Sequence, residues 1–209
     1  MMLSFGTQDV EWHYGTPIWV STIRPDKLLP IQEELAVAYN DLLANDKFQH
    51  HPTSRSHLLS DATFGGNLFE DYNTTHFKAE LEVQLRNYMN SINSGIGTAR
   101  PFEYKIRGAW MTLNKPGCYA VVHDHGETDV SGVYYFDSNG QDGDIFFETP
   151  NKLLKNSYCF KQFGKSWAHK PATGKLILFP GWLEHGVCAN HTEHDRVSIS
   201  FNINFIKNY

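Results

Sequence analysis

An α+β fold, mainly β, is predicted by three features of this 209-residue sequence. Apolar residues recur at helical spacing in two stretches before residue 97, two-residue alternation dominates after it, and turn residues punctuate the second half at short intervals. Many short strands at such intervals indicate a sandwich or barrel, and the two helices preceding it bury their apolar stripes against its outside.

The elements follow in order. Residues 17–23 (Pro-Ile-Trp-Val-Ser-Thr-Ile) are β-branched and aromatic and read as an early strand. Ile31, Leu35, Ala38 and Leu42 make the stripe of a helix over 31–44, with Pro30 suited to its first turn, where a missing amide costs no hydrogen bond. Residues 46–66 hold no sustained period and read as loop. A second helix is expected over 77–92 with the stripe Phe77, Leu81, Leu85, Tyr88, Ile92, with Thr75 as N-cap and Gly95 as stop. Strands are expected at 104–113, 119–125, 131–137, 144–148, 157–163, 174–179 and 196–206. The chain thus reads as one domain, 1–209, in which 1–99 support a β core at 100–206.

Composition narrows the function. With 41% apolar and 14% aromatic residues the chain is globular. Its net charge of −5 argues against a nucleic-acid partner. There is no run of eighteen apolar residues for a membrane span and no basic, then apolar leader, so a cytoplasmic location is expected. The three cysteines, Cys118, Cys159 and Cys188, are too far apart for a disulfide framework or a thiolate zinc site and fit a reducing compartment.

Two histidines stand apart from the rest. In Gly117-Cys-Tyr-Ala-Val-Val-His123-Asp-His125, strand geometry puts both imidazoles on one face, about 7 Å apart, together with Tyr119 and Val121. They can converge on a metal if a third ligand arrives from elsewhere. His185 is the candidate, since it follows an apolar strand and the turn Pro180-Gly181. Three ligands leave other positions open, as a catalytic metal requires. His13, His50, His51, His57, His76, His169, His191 and His194 lack a partner at ligand spacing and read as ordinary surface or core residues.

The last strand carries a second constellation. Val197, Ile199, Phe201, Ile203 and Phe205 alternate with Arg196, Ser198, Ser200, Asn202 and Asn204. A half-exposed strand would look the same. Near a metal, however, Arg196 followed two residues on by Ser198 offers a bidentate fork and a hydroxyl to a carboxylate, which makes a seat for a dicarboxylic acid whose other end chelates the ion.

These residues, with Trp110, Asn114, Gly117, Ser131-Gly-Val-Tyr-Tyr135 and Phe179-Pro180 in order, resemble the 2-oxoglutarate- and Fe(II)-dependent oxygenases, and within them the prolyl-hydroxylase-like branch of uncharacterised bacterial and phage proteins. The resemblance implies a double-stranded β-helix (jelly roll) with His123 and His185 as iron ligands and Arg196 on the distal carboxylate of 2-oxoglutarate. Tyr119, Asn114 and Ser198 are implied as helpers in holding it. It further implies a dioxygenase that consumes O₂ and 2-oxoglutarate, with hydroxylation of a small-molecule or peptide substrate as its reaction. One position departs from the wider superfamily, which has His-x-Asp or His-x-Glu where this chain has His123-x-His125. Either His125 is the ligand, the reading favoured here, or a carboxylate from Asp124, Glu127 or Asp129 takes its place. A cupin-type three-histidine enzyme (a dioxygenase or isomerase) that does not use 2-oxoglutarate is the rival reading. Gly117 followed by the His pair opens a cupin-like motif, but a cupin has no need of Arg196-x-Ser198. Primary substrate and oligomeric state are not written in the sequence.

Overall fold

The computed structural model describes residues 15–50, 58–60, 67–96, 102–159, 161 and 166–206. His13, His51 and His57 lie outside them. Helix α1 runs over Pro25–Ala44, α2 over Leu68–Asp71 and α3 over Thr75–Ile96. The strands are β1 (Trp19–Thr22), β2 (Phe48–His50), β3 (Leu58–Ser60), β4 (Glu103–Asn114), β5 (Ala120–His123), β6 (Val130–Asp137), β7 (Ile145–Phe147), β8 (Trp167–His169), β9 (Lys175–Pro180), β10 (His185–Val187) and β11 (Arg196–Ile206).

These form two antiparallel sheets. The larger has the order β1-β9-β6-β11-β4-β3-β2, and the smaller β5-β10-β7-β8. This is the predicted jelly roll. The boundary near residue 100 separates helix from strand only in part, because β1, β2 and β3 extend both edges of the larger sheet.

Two apolar cores explain the architecture. The first joins the helices to the outer face of the larger sheet. The stripes Ile31, Leu35, Ala38, Leu42 and Phe77, Leu81, Leu85, Tyr88 share it with Met111, Tyr134, Leu178, Ile199 and Phe201. Fully burying a side chain such as Leu35 contributes roughly 1.5–3 kcal/mol. Phe77 stacks obliquely on Tyr134 with ring centroids 5.0 Å apart. Gly132 lies beneath Phe201, and a Cβ there would strike its ring. The second core lies between the sheets and contains Val133, Tyr135, Ile145, Phe147, Ile177, Phe179 and Leu183. Alternation along β6 and β11 divides each strand between the two layers: Tyr134 and Phe201 face the helices, whereas Tyr135, Ser198 and Ser200 face the interior.

Several boundaries differ from expectation. Helix α1 starts six residues earlier than predicted, with Pro25 at its N-terminus, so Pro30 lies inside the helix. Thr75 is already helical and does not cap α3. Glu34 of α1 does so instead, accepting the amides of His76 at 3.0 Å and Phe77 at 2.5 Å. This reciprocal tie is invisible to local sequence. Helix α3 passes through Gly95 to Ile96. The stretch read as loop contains β2 and β3, and just beyond it Asn67 caps α2, its side chain accepting the Phe69 amide. Three-residue strands are too short to show a period. The strand expected at 157–163 is not formed in its described part. A 3₁₀ turn over Lys152–Asn156 leads into a turn at 158–159, and the strand of this region is β8, further along.

Candidate metal and co-substrate site

The smaller sheet brings the first two histidines of the site together by direct pairing. β5 runs antiparallel to β10 with His123 opposite His185. β5 ends at His123, so His125 is not on the strand as expected. It sits in a turn where Asp124 Oδ1 accepts the amide of Gly126, whose φ is +56°. The His125 amide donates to the Gly181 carbonyl at 2.9 Å, which fixes the turn against the Pro180 corner. Gly181 itself approaches the Thr128 carbonyl so closely that any Cβ would collide with it.

The three imidazoles converge all the same. Ring centroids lie 4.5 Å apart for His123 and His185, 5.1 Å for His125 and His185, and 5.3 Å for His123 and His125. One ligand nitrogen from each lies within 4.8 Å of the others, and no carboxylate joins the group among the described residues. Asp124 is tied to Gly126, while Asp129 accepts the Phe205 amide at 2.8 Å. His123 Nδ1 lies 2.8 Å from the Val121 carbonyl and His185 Nδ1 2.9 Å from that of Leu183. A carbonyl only accepts, so each Nδ1 carries the proton and each Nε2 presents a lone pair. Burial, aided by the neighbouring His123, pushes the His125 pKa down to about 4 and that of His185 to about 3. Both are therefore neutral near pH 7, the form a metal needs.

Behind the imidazoles lies a cavity of about 620 Å³ between the sheets. Arg196, Ser198 and Asn114 line it, and all three are buried. Arg196 pairs across the ladder with Asn114. Arg196 Nη1 donates to the carbonyls of Asp142 at 3.2 Å and Gly143 at 2.6 Å. No carboxylate of the described residues forms an ion pair with it, and burial lowers its pKa. Its Nε and the Asn114 Oδ1 are buried without hydrogen-bond partners. Leaving such groups unsatisfied costs on the order of 1–3 kcal/mol each, more for a charged one, so this part of the cavity is suited to a ligand.

Tyr119 is the one predicted residue that falls outside the cavity. It precedes β5, and a bulge between the His185 and Val187 pairings breaks the alternation that would have carried it inward. The residue that sequence reasoning missed is Tyr135. It stands on the cavity face of β6 with the Arg196 guanidinium 5.7 Å from its ring centre. Burial pushes its hydroxyl up to about 12. The alternation Ser131, Val133, Tyr135 could have revealed it. Trp110 lines the cavity, 6.1 Å from the His125 ring, whereas Trp167 and Trp182 are exposed.

Three imidazoles around one point, with a buried guanidinium that pairs with no carboxylate among the described residues lining the same cavity, define a class: a mononuclear metal site of the open kind combined with a seat for an anion. Residues 108–202 match the protein family described as "Putative 2OG-Fe(II) oxygenase". The matched segment carries all three histidines and Arg196, and there the chain is similar to the 2-oxoglutarate- and Fe(II)-dependent oxygenases. Among curated proteins, none matches the chain in sequence. Solved structures share the fold. A prolyl-4-hydroxylase of Pseudomonas putida is 14% identical with a TM-score of 0.57, over 90% of this chain and 92% of its own. The non-heme α-ketoglutarate-dependent epimerase SnoN of nogalamycin biosynthesis is 11% identical, TM-score 0.62, over 90% and 78%. HygX of Streptomyces hygroscopicus, solved with nickel, 2-oxoglutarate and hygromycin B, is 10% identical, TM-score 0.54, over 90% and 83%.

Proposed function

We propose that the whole chain is one oxygenase domain in which His123, His125 and His185 hold Fe(II) and Arg196 seats the distal carboxylate of 2-oxoglutarate, and that its reaction is hydroxylation of a small-molecule or peptide substrate. The observation that carries this reading is the buried Arg196, held by two backbone carbonyls, left with an orphaned Nε, and lining the same cavity as the three histidines. The residues fit the implied metal: two of the donors are neutral by burial, two are oriented by carbonyls, and their nitrogens stand within reach of one ion.

Iron with 2-oxoglutarate and O₂ supplies the oxidising chemistry, converting the co-substrate to succinate and CO₂. The protein's part is binding and exclusion of water. Arg196 and Ser198 orient the co-substrate's far end, and the Tyr135 hydroxyl, kept protonated by burial, stays available as a donor. Asn114 contributes polar atoms at the paired position. Apolar walls from Val133, Ile145 and Phe179 keep that end dry, which strengthens the ion pair with Arg196.

The all-imidazole donor set is the one feature shared with the cupin-type reading. Arg196 separates the two, since an enzyme without a dicarboxylate co-substrate has no use for an unpaired buried guanidinium. No helix among the described residues is long and apolar enough to cross a membrane, and the free cysteines fit a cytoplasmic setting. Incubation of iron-loaded protein with 2-oxoglutarate and O₂ tests the reading. Slow succinate formation, lost in His185→Ala, is expected, and its absence in wild-type protein under all loading conditions would count against it.

A further inference from the structure

The cavity is larger than a five-carbon diacid fills, being of the size that ordinarily encloses a drug-sized ligand. Besides the histidines and Arg196, it is lined by Leu59, Asn67, Glu70, Arg107, Gly108 and Trp110. Arg107 is there because of an irregularity in the ladder. β11 pairs Asn202 with Gly108 and Ile203 with Ile106, so Arg107 is the extra residue of a bulge in β4. A bulge turns a side chain away from the face that alternation would give it. Regular alternation would place residue 107 with Ala109 and Met111, which belong to the helix-side core. Instead it lines the cavity, a second cation in addition to Arg196.

Arg107 makes no ion pair or hydrogen bond with any described residue. Of the two carboxylates that line the cavity, Glu70 is held by Asn67, whose Nδ2 donates to it at 3.1 Å, and Asp124 by the Gly126 amide. Trp110, three residues on along the same strand, also lines the cavity, with its ring 6.1 Å from that of His125. An aromatic platform flanked by a free planar fork suits a substrate with a flat or apolar body and an anionic group, carboxylate or phosphate.

On the oxygenase reading above, we propose that Arg107 is the specificity-determining residue for the primary substrate, which carries a carboxylate or phosphate that pairs with it. Trp110 packs the body of that substrate and directs it toward the histidines. Arg196 and Arg107 thereby divide two anions between them, the co-substrate at the inner end and the substrate at the outer.

Ligand-observed NMR on full-length, Zn(II)-loaded protein saturated with 2-oxoglutarate tests this with three probes: phenylacetate, phenyl phosphate and the neutral phenylacetamide. At least one anion should bind about tenfold more tightly than the amide, and the stronger anion identifies the group recognised. Arg107→Gln should erase the preference and Arg107→Lys keep part of it, whereas Arg196→Gln should leave it intact. Equal binding of anions and amide to wild-type protein, or a preference that survives Arg107→Gln, overturns the proposal. Loss of the preference in Arg196→Gln alone does so too, by assigning the anion to the inner seat. Calorimetry of 2-oxoglutarate on the same samples separates the two claims. If the co-substrate fails to bind, the oxygenase reading falls, while the comparison of the Arg107 variants still decides who reads the anion.

Discussion

Arg196 and Gly143 hold each other in place: the guanidinium Nη1 donates to the Gly143 carbonyl at 2.6 Å, and Gly143 offers that carbonyl from a backbone with φ of +104°. Only glycine adopts such a conformation without strain. A Cβ at 143 would also collide with the Cys188 carbonyl and come within 3.3 Å of Nη1. Gly143→Ala is therefore expected to destabilise the fold by about 1–3 kcal/mol and to weaken 2-oxoglutarate binding as well. Urea unfolding and calorimetry on the same variant check both effects.

The Asn202 amide lies against His125, with its nitrogen 3.4 Å from Nδ1, and its Oδ1 accepts from Ser131 Oγ at 2.9 Å. An amide has nearly the same shape either way round. For His125 Nε2 to ligate a metal, Nδ1 carries the proton, and the amide turns its oxygen toward it while the serine accepts. Removing such a support typically costs roughly 10–100-fold in metal affinity. That loss is the expectation for Asn202→Ala, measured by competition with a chromophoric chelator, with Ser131→Ala showing a smaller one.

His125 occupies the position where the wider superfamily has a carboxylate. His125→Ala should lower Fe(II) affinity by at least about tenfold, and His125→Asp should recover most of it, since a hard anionic oxygen suits Fe(II) as well as an imidazole does. Metal content after anaerobic dialysis distinguishes the two. Unchanged iron in His125→Ala would show that His125 is not a ligand.

Away from the site, the Tyr104 hydroxyl of β4 donates to Glu82 of α3, and Arg86 pairs with the same carboxylate. The tyrosine bond chiefly holds the Glu82 pKa below the usual carboxylate range. A carboxylate with a depressed folded-state pKa contributes stability that is present above its unfolded value and is lost as pH falls through the folded one. Wild-type protein should therefore lose more stability than Tyr104→Phe on acidification below about pH 4.5, the region where a free Glu titrates. Thermal melts at several pH values would show the two curves approaching one another in acid.

Much of the site was legible because it rests on regular elements. Arg196, Ser198 and Asn114 lie on stretches of strand whose two-residue period survives in the fold, His123 ends a strand as the apolar run before it predicts, and both helical stripes pack into the core as their spacing predicts. The misreadings occur where tertiary contacts replace local pattern. His125 reaches its neighbours through an Asx turn instead of strand alternation, and Tyr119 is turned away by a bulge. Arg107 is turned inward by another bulge, which no periodicity in β4 announces. β3 exists because the edge of β4 pairs with it, and β2 because β3 does, not because three residues prefer a strand. The Glu34 cap of α3 joins residues 42 and 43 positions apart.

The central claim is that Arg196 seats the distal carboxylate of 2-oxoglutarate opposite a three-histidine metal. Anaerobic calorimetry of 2-oxoglutarate into Zn(II)-loaded protein measures it directly. Breaking a buried ion pair from one side costs on the order of 3–5 kcal/mol, which is roughly two to four orders of magnitude in affinity. Wild-type protein should bind 2-oxoglutarate, Arg196→Ala should lose that much, and Arg196→Lys should fall between them because an ammonium cannot replace the planar fork. Unchanged binding by Arg196→Ala, or no binding by the metal-loaded wild type, would contradict the account.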